Sequence, residues 1–79
     1  MNEHELESFI MATLANADGW VDFIQIDKAL AAKGTGWKDG VRQSYLRGAV
    51  GRMIRDGRII REKNRGRYKI GDETLNLFQ

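Results

Sequence analysis

Residues 41–70 read VRQSYLRGAVGRMIRDGRIIREKNRGRYKI, and this stretch decides the fold. Apolar residues in its first half recur at helical spacing, and an Asp-Gly pair then supplies a helix stop. Its second half holds two runs of strand-forming residues separated by a turn signal. We therefore predict a helix from about Val41 to Asp56, followed by a hairpin. Its strands are Arg58–Lys63 and Arg67–Ile70, joined by a turn at Asn64-Arg65-Gly66 in which the glycine takes the left-handed position.

Two further helices are predicted upstream. The first runs from Glu5 to about Ala17, where apolar residues share one stripe and another Asp-Gly pair follows. The second runs from Phe23 to Lys33, because Asp22 is a candidate N-cap and Gln25 completes a capping-box pattern. Between them, Trp20-Val21 suits a very short strand that pairs with a later one. The buried stripe of the second helix is expected to comprise Phe23, Ile26, Ala29 and Leu30.

The segment Gly34–Gly40, GTGWKDG, is predicted to be a flexible loop before the third helix. Trp37 at its centre has two interpretations: it closes over the core as a lid, or it presents an aromatic surface to a partner. The sequence leaves both open. All elements fit a single domain over residues 1–79, with a core at about 5–71. The short tail 72–79 either packs on the first helix or forms an exposed patch for a second copy of the chain.

The third helix has one face that points away from the core. At about 100° per residue, Leu46, Ala49 and Met53 fall on the core side. A glycine inside a helix costs roughly 0.5–1 kcal/mol relative to alanine, so glycines between arginines on the opposite face indicate close approach of a partner. The alternative explanation for these glycines is neutral sequence drift at positions where helix propensity matters little. The outward face comprises Ser44, Arg47, Gly48, Gly51 and Arg55, with Arg52 on the flank.

Charge is divided unevenly along the chain. Residues 1–40 hold three lysines against seven carboxylates, a net charge of −4, whereas residues 41–79 hold ten cations against four carboxylates, a net charge of +6. A cationic surface at one end of a small domain is typical of a nucleic-acid binder, and a solvated basic face is the plainer alternative. Opposed like charges on a hairpin are unfavourable, which points to a bound anion. The expected ladder of hairpin cations comprises Arg61, Lys63, Arg67 and Lys69, ending at the Arg65 tip.

The composition argues against an enzyme. The chain has no cysteine, and its only histidine, His4, lies in a polar tail, so no catalytic residue, metal site or cofactor is predicted. Its glycine-rich loop lacks the strand and the Lys-Ser/Thr pair of a nucleotide-binding loop.

The apolar runs are too short for a membrane span, and the acidic N-terminus is unlike a signal peptide. We expect a soluble cytoplasmic protein, nucleoid-associated in a bacterium or nuclear in a eukaryote, with no small-molecule ligand.

The order of elements and the junction of helix and hairpin resemble the winged helix family of DNA-binding domains. The resemblance spans about residues 5–71 and rests on Gly19-Trp20-Val21, the stretch from Leu46 to Ile60, and Gly66–Ile70. It implies an α+β fold, namely a three-helix winged helix-turn-helix with a C-terminal two-stranded β-hairpin wing. It also implies a small double-stranded DNA-binding protein that regulates transcription or serves as a nucleoprotein accessory factor.

In that family, the third helix enters the major groove of DNA and the wing touches the backbone or the minor groove. The loop before this helix is long for the family, and its outward face lacks an Asn or Gln for adenine readout, so we expect modest sequence specificity. The residues that the resemblance assigns to DNA are Ser44, Arg47, Arg52 and Arg55 on the helix, and Lys63, Asn64, Arg65 and Arg67 on the wing. Gly48 and Gly51 join this predicted DNA-binding set as the points of close approach.

Three alternatives concern the partner: an acidic protein, RNA and a second copy of the chain. The basic wing of a winged helix can instead bind an acidic protein chain, but such a contact more often needs an apolar hot spot such as an exposed Trp37 or Phe78. Cations spread over both helix and hairpin match the span of a duplex better, and RNA is a further alternative. A homodimer is also considered, because small DNA binders often pair on palindromic sites, although no dimer helix is visible in the sequence.

Overall fold

A computed structural model describes residues 1–71 and has an α+β fold of three helices and one three-stranded antiparallel sheet. The order of elements is the predicted one, and the tail 72–79 lies outside the described residues. The elements are α1 (Glu3–Ala15), β1 (Val21–Asp22), α2 (Phe23–Lys33), α3 (Asp39–Arg55), β2 (Ile59–Arg61) and β3 (Arg67–Ile70).

The ends of α1 differ from the prediction at both sides. The helix begins at Glu3 rather than Glu5, because Asn2 is its N-cap and accepts a hydrogen bond from the backbone N–H of Glu5 at 2.8 Å. It ends at Ala15 rather than Ala17, and the Asp-Gly pair that follows supplies no left-handed glycine at position 19. The chain therefore reaches β1 through a short irregular turn.

The bounds of α2 are those predicted. The backbone N–H of Asp22 donates to the side-chain oxygen of Gln25 at 2.8 Å, as the capping-box pattern requires, and Gly34 ends the helix with φ +83°. The predicted buried stripe was wrong at Ala29, which is exposed, and only partly right at Phe23, which is half-buried; Asp27 is buried instead. The loop that follows is shorter than predicted, because α3 begins at Asp39.

The junction of α3 and β2 is a Schellman motif centred on Gly57. The backbone N–H of Gly57 donates to the carbonyl of Ile54, and that of Arg58 donates to the carbonyl of Met53. This arrangement requires a residue at positive φ, and Gly57 has φ +78°. The Asp-Gly stop signal in the sequence therefore sets the point at which the chain leaves α3 and enters the hairpin.

The sheet has the strand order β1-β3-β2, so the short first strand pairs with β3 at the far end of the sequence. Val21 lies opposite Tyr68 on one side of β3, and Arg61 lies opposite the same Tyr68 on the other. In the hairpin turn the left-handed residue is Asn64, with φ +63°, and the prediction of Gly66 there was wrong. Asparagine tolerates this conformation better than most residues with a Cβ.

A single core lies where the three helices meet the sheet. No helix within residues 1–71 is long and apolar enough to cross a membrane. The buried apolar side chains are Leu6, Ile10 and Leu14 from α1, Ile26 and Leu30 from α2, Leu46, Ala49, Val50 and Met53 from α3, and Val21 and Ile59 from the sheet.

Candidate functional site

The outward face of α3 is exposed as predicted. Arg47, Gly51 and Arg55 follow one another at i, i+4 spacing, and all three are exposed. A Cβ added at Gly51 would meet nothing within 4 Å, and one added at Gly48 would make only an ordinary contact with Nη1 of Arg52, at 3.5 Å. Neither glycine is therefore required by packing within residues 1–71.

Arg52, on the flank of the same helix, is engaged within the fold. Its Nε lies 3.0 Å from Oε1 of Glu3 and 3.6 Å from Oε2 of Glu7, so the side chain reaches back to α1. Two nearby carboxylates offset its charge, and Arg52 is a weaker candidate for an anion contact than its neighbours on the outward face.

The predicted ladder of opposed hairpin cations was wrong. Arg61 pairs across the strands with Tyr68, and Lys69 pairs with Ile60, so neither cation faces another in this register. Arg67 forms an ion pair with Glu62. Since cross-strand partners point to the same side of a sheet, Arg61 shares its face with Tyr68, while Lys69 and Arg67 point to the other face.

Some of the cations on α3 and the hairpin remain without an ion pair. Within residues 1–71 they have no carboxylate oxygen within 4.0 Å. Arg61 belongs to this group although the resemblance assigned it no DNA contact, and its Nε donates to the backbone carbonyl of Arg65 at 3.3 Å. Lys69 also lacks an ion pair within this range, but its ammonium lies over the ring of Trp20, on the face of the hairpin opposite to Arg61. We call the other five the free cations: Arg47, Arg55, Arg61, Lys63 and Arg65.

Two of the free cations meet in a groove between α3 and the hairpin. Arg47 and Arg61 both line it, although 14 positions separate them in the chain. The guanidinium carbon of Arg47 lies 5.1 Å from the ring centroid of Phe23, at the start of α2. We call this the helix-hairpin groove, and its volume is about 320 Å³. It is lined by Phe23, Arg47, Val50, Gly51, Ile54, Arg61 and Tyr68.

A second groove separates α3 from the N-terminal end of α1. Trp37 is half-buried: it packs against the core and also lines this groove, where its ring meets that of Tyr45 edge to face with 4.8 Å between centroids. Ser44 and Gly48 line this second groove rather than the helix-hairpin groove. The fold thus divides the predicted outward face of α3 between two neighbouring depressions.

A buried ion pair joins α2 to the first turns of α3. Nε and Nη2 of Arg42 donate to the two carboxylate oxygens of Asp27 at 2.8 and 3.1 Å, and Gln43 adds a third hydrogen bond at 3.2 Å. The hydrogen bond from Arg42 lowers the pKa of Asp27, against the opposing effect of burial. Arg42 also donates to Asp39, and both carboxylates raise the pKa of its guanidinium.

Sequence reasoning missed this pair although a signal was present. Asp27 is four positions after Phe23 and three before Leu30, which places it on the apolar stripe of α2. Arg42 is four positions before Leu46 on the stripe of α3. A charged residue of each sign on facing apolar stripes indicates a buried pair, because burial of either charge alone is unfavourable.

Within residues 1–71, no group of three or more His, Cys, Asp or Glu side chains could hold a metal ion. Comparison with protein-family models, with curated proteins and with solved structures finds no match.

Proposed function

We propose that this chain is a small double-stranded DNA-binding protein with a winged helix fold, in which α3 is the recognition helix and the β2–β3 hairpin is the wing. The order of the elements and the strand order β1-β3-β2 support the fold. In this proposal the protein regulates transcription or serves as a nucleoprotein accessory factor, and it works in the cytoplasm or the nucleus, where DNA is found.

The observation that carries the proposal is the meeting of Arg47 and Arg61 in one groove. Free cations from two separate elements border the same open surface, and Arg55 extends it along α3 while Arg65 extends it along the hairpin. Such a distribution suits the two strands of a duplex, with α3 in the major groove and the wing on the backbone or minor groove. An acidic protein partner is the second candidate, and the same cations would serve it.

Substitutions of single arginines separate the roles of helix and wing. Arg65→Ala should weaken binding to every duplex sequence about equally, because a backbone contact carries little base information. Arg47→Ala should instead flatten sequence preference, by roughly 1–3 kcal/mol at one position if it reads guanine. The measurement is binding of each variant to a panel of duplexes by fluorescence anisotropy.

Arg67→Ala is the matched control, since Arg67 is a hairpin arginine already paired with Glu62. It should weaken binding less than Arg65→Ala does. If Arg65→Ala leaves affinity unchanged while circular dichroism shows a folded protein, the assignment of the hairpin as a DNA-contacting wing is wrong.

Replacing the exposed glycines should change stability and DNA affinity in opposite directions. Gly51→Ala and Gly48→Ala should each stabilise the free protein by up to about 1 kcal/mol, because alanine favours helix and restricts the unfolded chain. The added methyl group meets open space or an ordinary contact, so no clash offsets this gain. Both changes should weaken DNA binding, because the methyl group would stand where the duplex comes close. Thermal melts and binding isotherms measure the two effects.

Gly40→Ala is the control for the glycine series. Gly40 is also an exposed glycine of α3 with nothing near its would-be Cβ, but it lies in the first turn, about two turns before Arg47, the first free cation of the helix. Its replacement should leave DNA affinity unchanged. Close approach is excluded as the reason for Gly48 and Gly51 if all three variants bind as tightly as the parent.

A further inference from the structure

The helix-hairpin groove contains side chains that the paired bases of a duplex would leave without a contact. Its floor is made of apolar and aromatic side chains, and its polar side groups are two guanidinium groups and one tyrosine hydroxyl. The walls contribute no Asn, Gln, Asp or Glu side chain, the groups that hydrogen-bond to adenine or cytosine edges in a duplex. Arginine alone would read a base edge here, and the apolar floor would remain uncovered.

The aromatic floor and the cations at its edges together suit a ligand that has a planar ring and a negatively charged group next to that ring. Phe23 and Tyr68 are half-buried and line the groove, and each is close to a cation: Arg47 stacks over the ring of Phe23, while Arg61 is the cross-strand partner of Tyr68. Base faces stack on aromatic rings and on guanidinium planes, and the phosphates next to the base pair with arginine.

The open wall at Gly51 gives such a ring access to the floor. No side chain projects at that position, and even an added Cβ would meet nothing within 4 Å. The volume of about 320 Å³ lies near the lower end of the range of roughly 300–1,000 Å³ that is usual for ligand pockets. The groove is therefore open enough for one unpaired nucleotide, whereas a stacked duplex presents base edges and phosphates instead of base faces.

We propose that the helix-hairpin groove binds an unpaired nucleotide of a nucleic-acid strand next to a duplex, with its base stacked on Tyr68 and on the Arg47 guanidinium that lies over Phe23, and its phosphate at Arg61. The inference rests on the proposed function and refines it: the preferred ligand is a duplex with a single-stranded extension. Arg47 also belongs to the outward face of α3 and remains in contact with the duplex, and the free cations outside the groove hold the rest of the duplex.

The test compares a blunt duplex with the same duplex carrying a short single-stranded thymine overhang, at equal salt. The overhang should tighten binding by about 5- to 160-fold, the range expected for stacking of one base on an aromatic side chain. Tyr68→Leu, which keeps an apolar side chain but removes the ring, should abolish this advantage, so that the variant binds the blunt and the extended duplex equally. Tyr68→Phe should retain the advantage. A 2-aminopurine base in the overhang should lose fluorescence on binding to the parent and not on binding to Tyr68→Leu.

Tyr45→Leu is the matched control, because Tyr45 is an aromatic residue of the second groove, on another side of α3. It should leave the overhang advantage intact. Equal affinity for blunt and extended duplexes would overturn this inference and leave the proposed function standing, whereas no binding to either would overturn both. Thymidine monophosphate or an acidic peptide that displaces the overhang duplex at equal concentration would assign the groove to a free nucleotide or to a protein, and would likewise overturn it.

If Tyr68→Leu fails to fold, Phe23→Leu provides the same comparison from the other side of the floor. Phe23 lies under the guanidinium of Arg47, so loss of its ring should also reduce the overhang advantage. A folded Phe23→Leu variant with an unchanged overhang advantage would show that the base does not rest on this floor.

Discussion

Raising the salt concentration from about 50 to about 200 mM is expected to weaken binding to duplex DNA by a factor of about 500. Each phosphate neutralised by a cation releases a condensed counterion, with a log–log slope of about −0.9 per contact. For about five contacts, one for each free cation, the slope is about −4.5, and a fourfold rise in salt then gives the stated factor. Anisotropy titrations with a random duplex at several salt concentrations measure the slope.

Two variants test whether the salt slope arises from the free cations. Arg65→Ala should reduce its magnitude by about 1, whereas Arg52→Ala, which removes a cation paired with α1, should change it less. A slope near zero, or no binding at low salt, would remove nucleic acid as the partner. Binding to an acidic peptide with a greater affinity than to duplex DNA would favour the protein-interaction alternative.

Replacing Asp27 with alanine is expected to lower the free energy of unfolding by about 3 kcal/mol. The variant leaves the guanidinium of Arg42, whose residue is 8% exposed, without its main partner inside the fold. Breaking one side of a buried pair costs roughly 3–5 kcal/mol, and the lower end applies because Asp39 keeps one hydrogen bond to Arg42. Urea denaturation near neutral pH measures the loss.

Two further variants test whether the cost of Asp27→Ala comes from leaving a buried charge unpaired or merely from losing one ion pair. Glu3→Gln removes a partner of the more exposed Arg52 and should cost no more than about 1 kcal/mol, as surface pairs generally do. The double variant Asp27→Leu with Arg42→Met replaces both charges by apolar groups and should recover most of the stability lost in Asp27→Ala. A cost in Asp27→Ala as small as that in Glu3→Gln would contradict the assignment of a buried pair.

The same pair predicts a dependence of stability on pH. The pKa of Asp27 is lowered in the folded protein, so its contribution is fully present above the unfolded value of about 3.9 and is lost as pH falls from there through the folded pKa. Asp27→Asn has no proton to gain in this range. Its free energy of unfolding should therefore fall less than that of the parent between about pH 5 and about pH 2, measured by urea denaturation.

Local signals in the sequence determined most of the secondary structure. The capping pair Asp22 and Gln25 placed α2, the Asp-Gly stop ended α3 close to the predicted position, and helical periodicity identified the exposed ridge with Gly51. These features depend on residues a few positions apart, so the backbone geometry of one element is enough to fix them. Where a cap was overlooked, as at Asn2, the predicted boundary was wrong by one half-turn or so.

Pairing of the charges was decided by the tertiary structure alone. The sequence marks Arg52, Arg61 and Arg67 equally as cations, yet the fold pairs the first with α1 and the last with Glu62, and leaves Arg61 beside Arg47 in the groove. A charge interaction falls off with distance and with exposure to water, and both depend on which elements pack together. Helical and strand periodicity give the face of a side chain, whereas strand register and helix packing give its partner, and the partner decides which cations remain available for a ligand.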